Sequence, residues 1–328
     1  MAKYKWGILG PGMITHKFTA GLKVTPDAEL YAVGSRDLGR AEAFAKQHGF
    51  AKAYGSYQEL VEDKELDIVY VATPHPQHEE AALLCLKHGK GVICEKPFAV
   101  NTAQTRRMID CARSQGVFLM EAMWTRFLPA ICKVRELLAE DAIGQVRHVY
   151  SGNGFRTEVR PESRLFSLAY GGGALLDMGI YNLSFCSMIF GKAPARIQSQ
   201  ISIGSTGVDE ECSALFSYDE HQSAQLYTAI RVANRHGALI LGEKGSIYVP
   251  NFGGASSLTL QNQEGTKELE FPYEATGYQF EAQEVMRCLD EGLKESAVMP
   301  LDETLAIIQT MDQIRKQNGL RYPCDEEG

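Results

Sequence analysis

Lys5-Trp6-Gly7-Ile8-Leu9-Gly10-Pro11-Gly12-Met13-Ile14 decides how the first half of this chain is read. A short apolar run of strand type breaks at two glycines and passes at once into a helical pattern through Phe18 and Leu22. Gly10-Pro11-Gly12 lets the backbone turn tightly and approach a pyrophosphate, which the free N–H groups of the next helix stabilise. Thr15 stands where a third glycine or alanine completes the fingerprint, so the turn by itself also fits a plain strand-to-helix connection. Its position between the first strand and the first helix favours a dinucleotide, with Gly10, Gly12, Met13 and Ile14 as the contact residues.

Working outward, Glu29 to Gly34 is a second strand, and it ends in Ser35-Arg36-Asp37 with Arg40 one helical turn on. Two guanidiniums there can face a ribose 2′-phosphate with bidentate geometry that lysine lacks, which points to NADP. Asp37 is the acid that would hold free ribose hydroxyls, so NAD stays open. A continuous apolar strand, Asp67 to Ala72, leads into Thr73-Pro74-His75-Pro76-Gln77-His78, a proline-rich break of the kind that lines a cofactor crevice. His78 either meets the nicotinamide half or caps the helix beginning near Glu79. Val92-Ile93-Cys94 ends in Glu95-Lys96-Pro97-Phe98, an acid, a base and a proline at a strand's carboxyl end, where ligands of open α/β sheets bind. Proline at 97 excludes helical geometry at Lys96 and makes a cis Lys96-Pro97 bond the expectation. A helix opening at Asn101-Thr102-Ala103-Gln104 and a strand at 117–120 complete a β-α repetition that specifies a parallel sheet covered on both faces.

The 328 residues suffice for one large or two ordinary domains, and 45% are hydrophobic against 23% charged, the balance of a globular protein with ample core. Net charge is −8 and no run of like charges reaches five, which argues against nucleic acid and anionic membranes as partners. Met1 to Trp6 enters a strand without a signal-type apolar region, and no stretch has 18 uninterrupted apolar residues. The eight cysteines are scattered, with no Cys-x-x-Cys and no Cys/His ligand spacing, so we expect reduced thiols in the cytoplasm and no metal.

After Gly144 the texture changes. Ile197, Ile201 and Ile203, then Cys212, Ala214, Phe216 and Tyr218, then Ala224, Leu226, Thr228 and Ile230 alternate with polar residues, the period of an antiparallel sheet with one covered face. Leu239, Leu241 and Tyr227 make the other face less polar than a solvated one, which suits a homodimer interface. Helices are expected near 277–292 and 302–318. Gly171-Gly172-Gly173 leads into a helix carrying Asp177 and Tyr181, four residues apart and therefore on one face.

Together, the Gly-x-Gly turn at residue 10, Thr73-Pro74 with His78, and Glu95-Lys96-Pro97 resemble the glucose–fructose oxidoreductase / inositol dehydrogenase / MocA family. Glu121 to Pro129 and Gly171 to Tyr181 resemble its branch of dihydrodiol and NADP-dependent D-xylose dehydrogenases, and the likeness runs essentially the full length. The resemblance implies an α/β chain with an N-terminal Rossmann doubly wound parallel sheet at 1–121. A C-terminal α+β domain with a large open, mainly antiparallel sheet follows at 122–328. It further implies Lys96, Asp177 and Tyr181 as catalytic, Arg36 and Arg40 as phosphate-binding, and Trp124 and Phe155 as walls of the substrate pocket. Many relatives carry His where this chain has Tyr181, a departure shared with the dihydrodiol branch. Ser35, Thr73, Pro74, His78, Glu95 and Lys96 complete the expected cofactor contacts.

The reaction expected is hydride transfer from the carbinol carbon of a vicinal diol or sugar to NADP, without a metal. The alcohol must lose a proton as the hydride leaves. A tyrosine ordinarily titrates near ~10, and a neighbouring ammonium favours the phenolate. This makes Tyr181 the base, Lys96 the ammonium and Asp177 the orienting group; Lys96 as base with Tyr181 binding substrate is the alternative. A dinucleotide-sensing protein without turnover is the competing function, and it has no need of all three side chains. Phe252 is a further candidate wall residue, or simply core.

Overall fold

The computed structural model describes residues 3–234 and 236–325; Met1 and Ala2, part of the expected strand entry, lie outside them. The chain forms two compact units, one of residues 1–124 with 274–304 and one of residues 125–273 with 305–328.

In the first unit, β1 (Tyr4–Leu9), α1 (Met13–Lys23), β2 (Ala28–Gly34), α2 (Leu38–His48), β3 (Lys52–Tyr54) and α3 (Tyr57–Glu62) are followed by β4 (Ile68–Val71), α4 (His78–Lys87), β5 (Gly91–Glu95), α5 (Thr102–Gln115) and β6 (Leu119–Ala122). All six strands are parallel, in the order β3-β2-β1-β4-β5-β6. This is the doubly wound Rossmann order, and the chain reverses its direction of travel between β1 and β4, where ligands of such sheets bind. Every residue of β4 and β5 is buried, as expected where helices cover both faces. β3 and α3 have no counterpart among the expected elements. β3 is three half-buried residues on the sheet edge, too short to show a period.

The helix expected near 277–292 is α8 (Gln279–Asp290). A division at 121/122 would place it in the second domain, yet it clusters with the first unit. Tyr278 at its start sits edge-on to Phe18 of α1, with ring centroids 6.5 Å apart.

The second unit holds α6 (Pro129–Ala139), β7 (Val146–Gly154), α7 (Ile180–Phe190), β8 (Arg196–Ile203), β9 (Asp209–Ser217), β10 (Ser223–Ala229), β11 (Gly237–Gly242), β12 (Gly245–Pro250), β13 (Ser257–Asn262) and β14 (Gly265–Glu270). Its eight-stranded sheet runs β14-β13-β12-β11-β7-β10-β9-β8. Pairing is antiparallel throughout except between β10 and β7. The apolar α7 packs on β7 and β10 and covers one face. Leu168–Phe190, the one helical stretch among the described residues long and apolar enough to cross a membrane, is mostly buried. The other face exposes Tyr150, Leu215, Leu241 and Tyr248. In register, Tyr150 lies beside Leu239 and Leu239 beside Tyr248, a continuous apolar row across three strands. The last helix, α9 (Leu301–Gln317), enters this unit at Leu305.

Candidate active site

Gly10 takes φ +86°, and a Cβ there would press on the Thr73 backbone N at 3.2 Å, so the turn after β1 is open only to glycine. Gly12 precedes α1, and a Cβ on it would meet nothing nearer than the Gly10 oxygen at 3.9 Å. Packing therefore does not demand glycine at 12; its bareness keeps clear the space over the turn, as a pyrophosphate requires. Thr15 fills the place of the third glycine with a function of its own. It is fully buried, its Oγ1 accepts from Gly12 N at 2.9 Å and donates to Gly12 O at 2.7 Å, sealing the turn. Met13 on the first turn is 91% exposed and Ile14 half-buried, so the helix offers a bare apolar surface beside the glycines.

At the end of β2, Ser35 is buried and its Oγ accepts from Asp37 N at 3.2 Å. Asp37 caps α2, accepting from Arg40 N at 3.1 Å. One of the two carboxylate oxygens of the acid that would hold a free ribose is thus engaged at the helix start. Arg40 Nη2 donates to Pro11 O at 2.9 Å, which brings a guanidinium onto the glycine turn. Burial pushes the titration of Tyr57 up, and the charges of Arg36 and Arg40 oppose it, so both guanidiniums lie near its hydroxyl. Tyr57 went unnoticed in the sequence because it belongs to the unforeseen α3.

The strand ends β4 and β5 carry the next group. Thr73 is 5% exposed and its Oγ1 has no hydrogen-bond partner, which fits a polar ligand atom at the crevice floor. Pro74 precedes a single tight turn at His75–Gln77. His78 is fully buried, with Nδ1 3.0 Å from Pro97 O and Nε2 2.8 Å from Thr73 O. Its ring ties the two strand-end loops together, a third role beside the two considered. The Lys96-Pro97 bond is cis, as expected, and Lys96 is half-buried. Glu95 accepts from the Tyr70 hydroxyl on one oxygen and from Lys96 N at 3.1 Å on the other. Burial, reinforced by the charge of Glu95 and Glu281, holds Tyr70 well above its ordinary pKa, so it remains a donor. Glu121, fully buried, accepts from Phe98 N at 3.2 Å and from Thr304 Oγ1 at 3.0 Å, fixing the far side of the Lys96 loop. Trp124 stacks on Tyr278, centroids 4.6 Å apart.

The second unit carries a group of its own. Gly171 and Gly173 have φ +63° and +115°, and Leu175–Gly179 is a wide π-helical turn that runs directly into α7. Such turns concentrate at functional sites. Asp177 lies within it and Tyr181 four residues on. Asp177 is 8% exposed and pairs with Arg164 at 2.9 Å. Arg164 is a partner the sequence did not reveal, since the twelve residues between them carry no periodic signal. Phe155 packs partly buried against the cluster of Phe166, Ala174, Val208 and Ile230. Phe252 is 2% exposed and lies 5.3 Å from Phe185, a core residue and not a wall. Among the described residues no group of three His, Cys, Asp or Glu side chains has metal-ligand placement.

Comparison with known proteins bears on these groups. Residues 4–123 match the family described as "Oxidoreductase family, NAD-binding Rossmann fold" (GFO/IDH/MocA), and residues 131–248 match that family's C-terminal domain. The chain is 39% identical to trans-1,2-dihydrobenzene-1,2-diol dehydrogenase of Xenopus laevis, over 97% of this chain and 99% of the relative. It is 40% identical to the Mus musculus enzyme of the same name, over 98% and 99%. The fold is also that of aldose-aldose oxidoreductase from Caulobacter crescentus, at TM-score 0.88 and 22% identity over 96% of this chain and 97% of that one.

Proposed function

From a chain that belongs to the GFO/IDH/MocA oxidoreductase family and is an NAD(P)-dependent dehydrogenase, we propose the oxidation of a secondary alcohol in a vicinal diol or sugar, with NADP as acceptor. The full-length relatives named for a dihydrobenzene diol support the diol class. Bound NADP supplies the hydride acceptor. The chain's residues hold it as follows: Gly10 and Gly12 admit the pyrophosphate, Arg36 and Arg40 bind the 2′-phosphate, and Thr73 offers a hydroxyl to the nicotinamide half. The guanidiniums of Arg36 and Arg40 are what favour NADP over NAD.

The observation that carries the catalytic reading is the Arg164–Asp177 pair in the π turn that leads to Tyr181. The guanidinium keeps Asp177 in one orientation, from which it accepts a substrate hydroxyl hydrogen. Tyr181 takes the proton from the reacting carbinol, with the Lys96 ammonium stabilising the phenolate; Lys96 itself as acceptor remains the alternative. Trp124 and Phe155 wall the apolar side of the substrate. Incubating the purified protein with NADP or NAD and a panel of trans-diols and aldoses, while recording reduced-nicotinamide absorbance, tests this. Turnover with NADP and a diol or aldose is expected; turnover confined to other alcohols, or faster with NAD, counts against it.

The apolar row Tyr150–Leu239–Tyr248 supports a homodimer through the open sheet face, to be checked by light scattering of Tyr150→Lys, which should be monomeric. The burial of Cys85, Cys94, Cys186, Cys212 and Cys288 as thiols supports a reducing, cytoplasmic setting.

A further inference from the structure

We propose that the C-terminal stretch Leu320–Asp325 latches the glycine turn that carries Asp177 and Tyr181, with Tyr322 and Asp209 as positioning residues; this rests on the catalytic reading of those two side chains. Tyr322 is 1% exposed and its hydroxyl donates to the Gly172 carbonyl at 2.6 Å. Its own backbone is held in turn, Tyr322 N donating to Asp325 Oδ2 at 2.9 Å. That same oxygen accepts from Arg315 Nη1 at 2.6 Å. Arg315, 4% exposed, also pairs with Asp312 and lies 5.0 Å from the Tyr322 ring centroid. A buried cation thus fixes both the ring and the backbone of the latch residue.

Asp209 grips the turn at a second point. Its Oδ2 accepts from Leu175 N at 2.6 Å, and a Cβ on Gly173 would fall 2.0 Å from its Oδ1. A Cβ on Gly172 would lie 2.5 Å from Leu165 O. The turn is therefore seated against Asp209 and the 164–165 backbone, and Tyr322 holds it there. The seat connects to the chemistry by two routes. Asp177 N donates to Gly173 O at 3.2 Å, and Arg164, which pairs with Asp177, adjoins Leu165. Releasing Gly172 shifts Asp177 through its backbone and through its ion pair together. Misplacement of a reacting group by about 1 Å costs on the order of 10²-fold in rate.

Tyr322→Phe removes one hydroxyl. It is expected to lower kcat about tenfold with KM for the diol and NADP affinity unchanged, and to raise the substrate deuterium isotope effect as the chemical step becomes limiting. Because Tyr322 acts through Asp177, its loss should vanish in an Asp177→Asn background, the double variant being no slower than Asp177→Asn alone. Wild-type kcat in Tyr322→Phe, or a tenfold loss that multiplies in full onto Asp177→Asn, overturns the latch. If Asp177→Asn is itself as fast as wild type, the catalytic assignment of Asp177 falls and the latch falls with it, whereas an unimpaired Tyr181→Phe removes only Tyr181 as base. Asp325→Asn, which leaves the Tyr322 side chain intact and removes the charge that Arg315 meets, should reproduce the kcat loss and serves if Tyr322→Phe does not fold.

Discussion

Asp209→Asn should remove a loss of stability that the wild-type chain suffers as pH rises from acid to neutral. Asp209 is fully buried, and burial pushes its carboxyl from the ordinary 3.8 up to about 7, against the backbone N–H groups of Leu175 and Ala174 and the charge of Arg315, which act the other way. Cys212 and Tyr322 also face it. A raised value in the folded state means the native chain binds this proton more tightly than the unfolded one. The stability it contributes is complete below about pH 3.8 and is lost as pH climbs towards about 7. The whole span corresponds to about 4 kcal/mol, at roughly 1.4 kcal/mol per pH unit. Between about pH 5.5 and pH 8 the loss from this group alone is about 2 kcal/mol. Asparagine keeps an oxygen for Leu175 N and carries no charge, so that portion of the pH dependence should disappear. Urea unfolding followed by circular dichroism at the two pH values, for both proteins, reads the difference. Parallel changes in wild type and variant would refute the assignment of Asp209 as a buried, titrating group.

Three further outcomes are expected. Tyr181→Phe should cut kcat by about 10²–10⁴-fold with NADP affinity nearly intact; steady-state kinetics with unchanged turnover would remove Tyr181 as base. Arg36→Ala should weaken NADP by roughly 10–100-fold, the worth of a charge-assisted bond, and leave NAD unaffected, as titration calorimetry with both dinucleotides will show. Glu281, fully buried with neither carboxyl oxygen hydrogen-bonded, has its pKa raised well above the ordinary value, by burial first and then by Glu95. Its contribution is therefore complete at acid pH and falls as pH rises, so Glu281→Met should stabilise the fold by about 1–3 kcal/mol near neutrality; a lower melting temperature at pH 8 would contradict this.

What could be read in the residues, and what could not, follows from whether a feature is local. Gly10–Gly12, the buried runs of β4 and β5, and the cis Lys96-Pro97 bond announce themselves within a few residues, because turn geometry and alternation are short-range properties. The period-two pattern from 197 to 230 likewise identified β8, β9 and β10. It did not reveal that β10 lies parallel to β7, since register across 75 residues leaves no mark in either strand. The same holds within the site. Asp177 and Tyr181 share a turn and were visible together, whereas Arg164, Tyr57 and Asp209 join their partners only after folding. Thr15 looked like a defect in a glycine fingerprint until its hydroxyl was seen closing the Gly12 backbone. Each of these hidden partners is a polar side chain that orients another, and their common effect is to restrict a group already legible in the sequence to one geometry. The reacting residues are thus written locally, while the precision with which they are held is written in contacts between distant segments, and it is there that the effects of substitution on rate should be largest per atom removed.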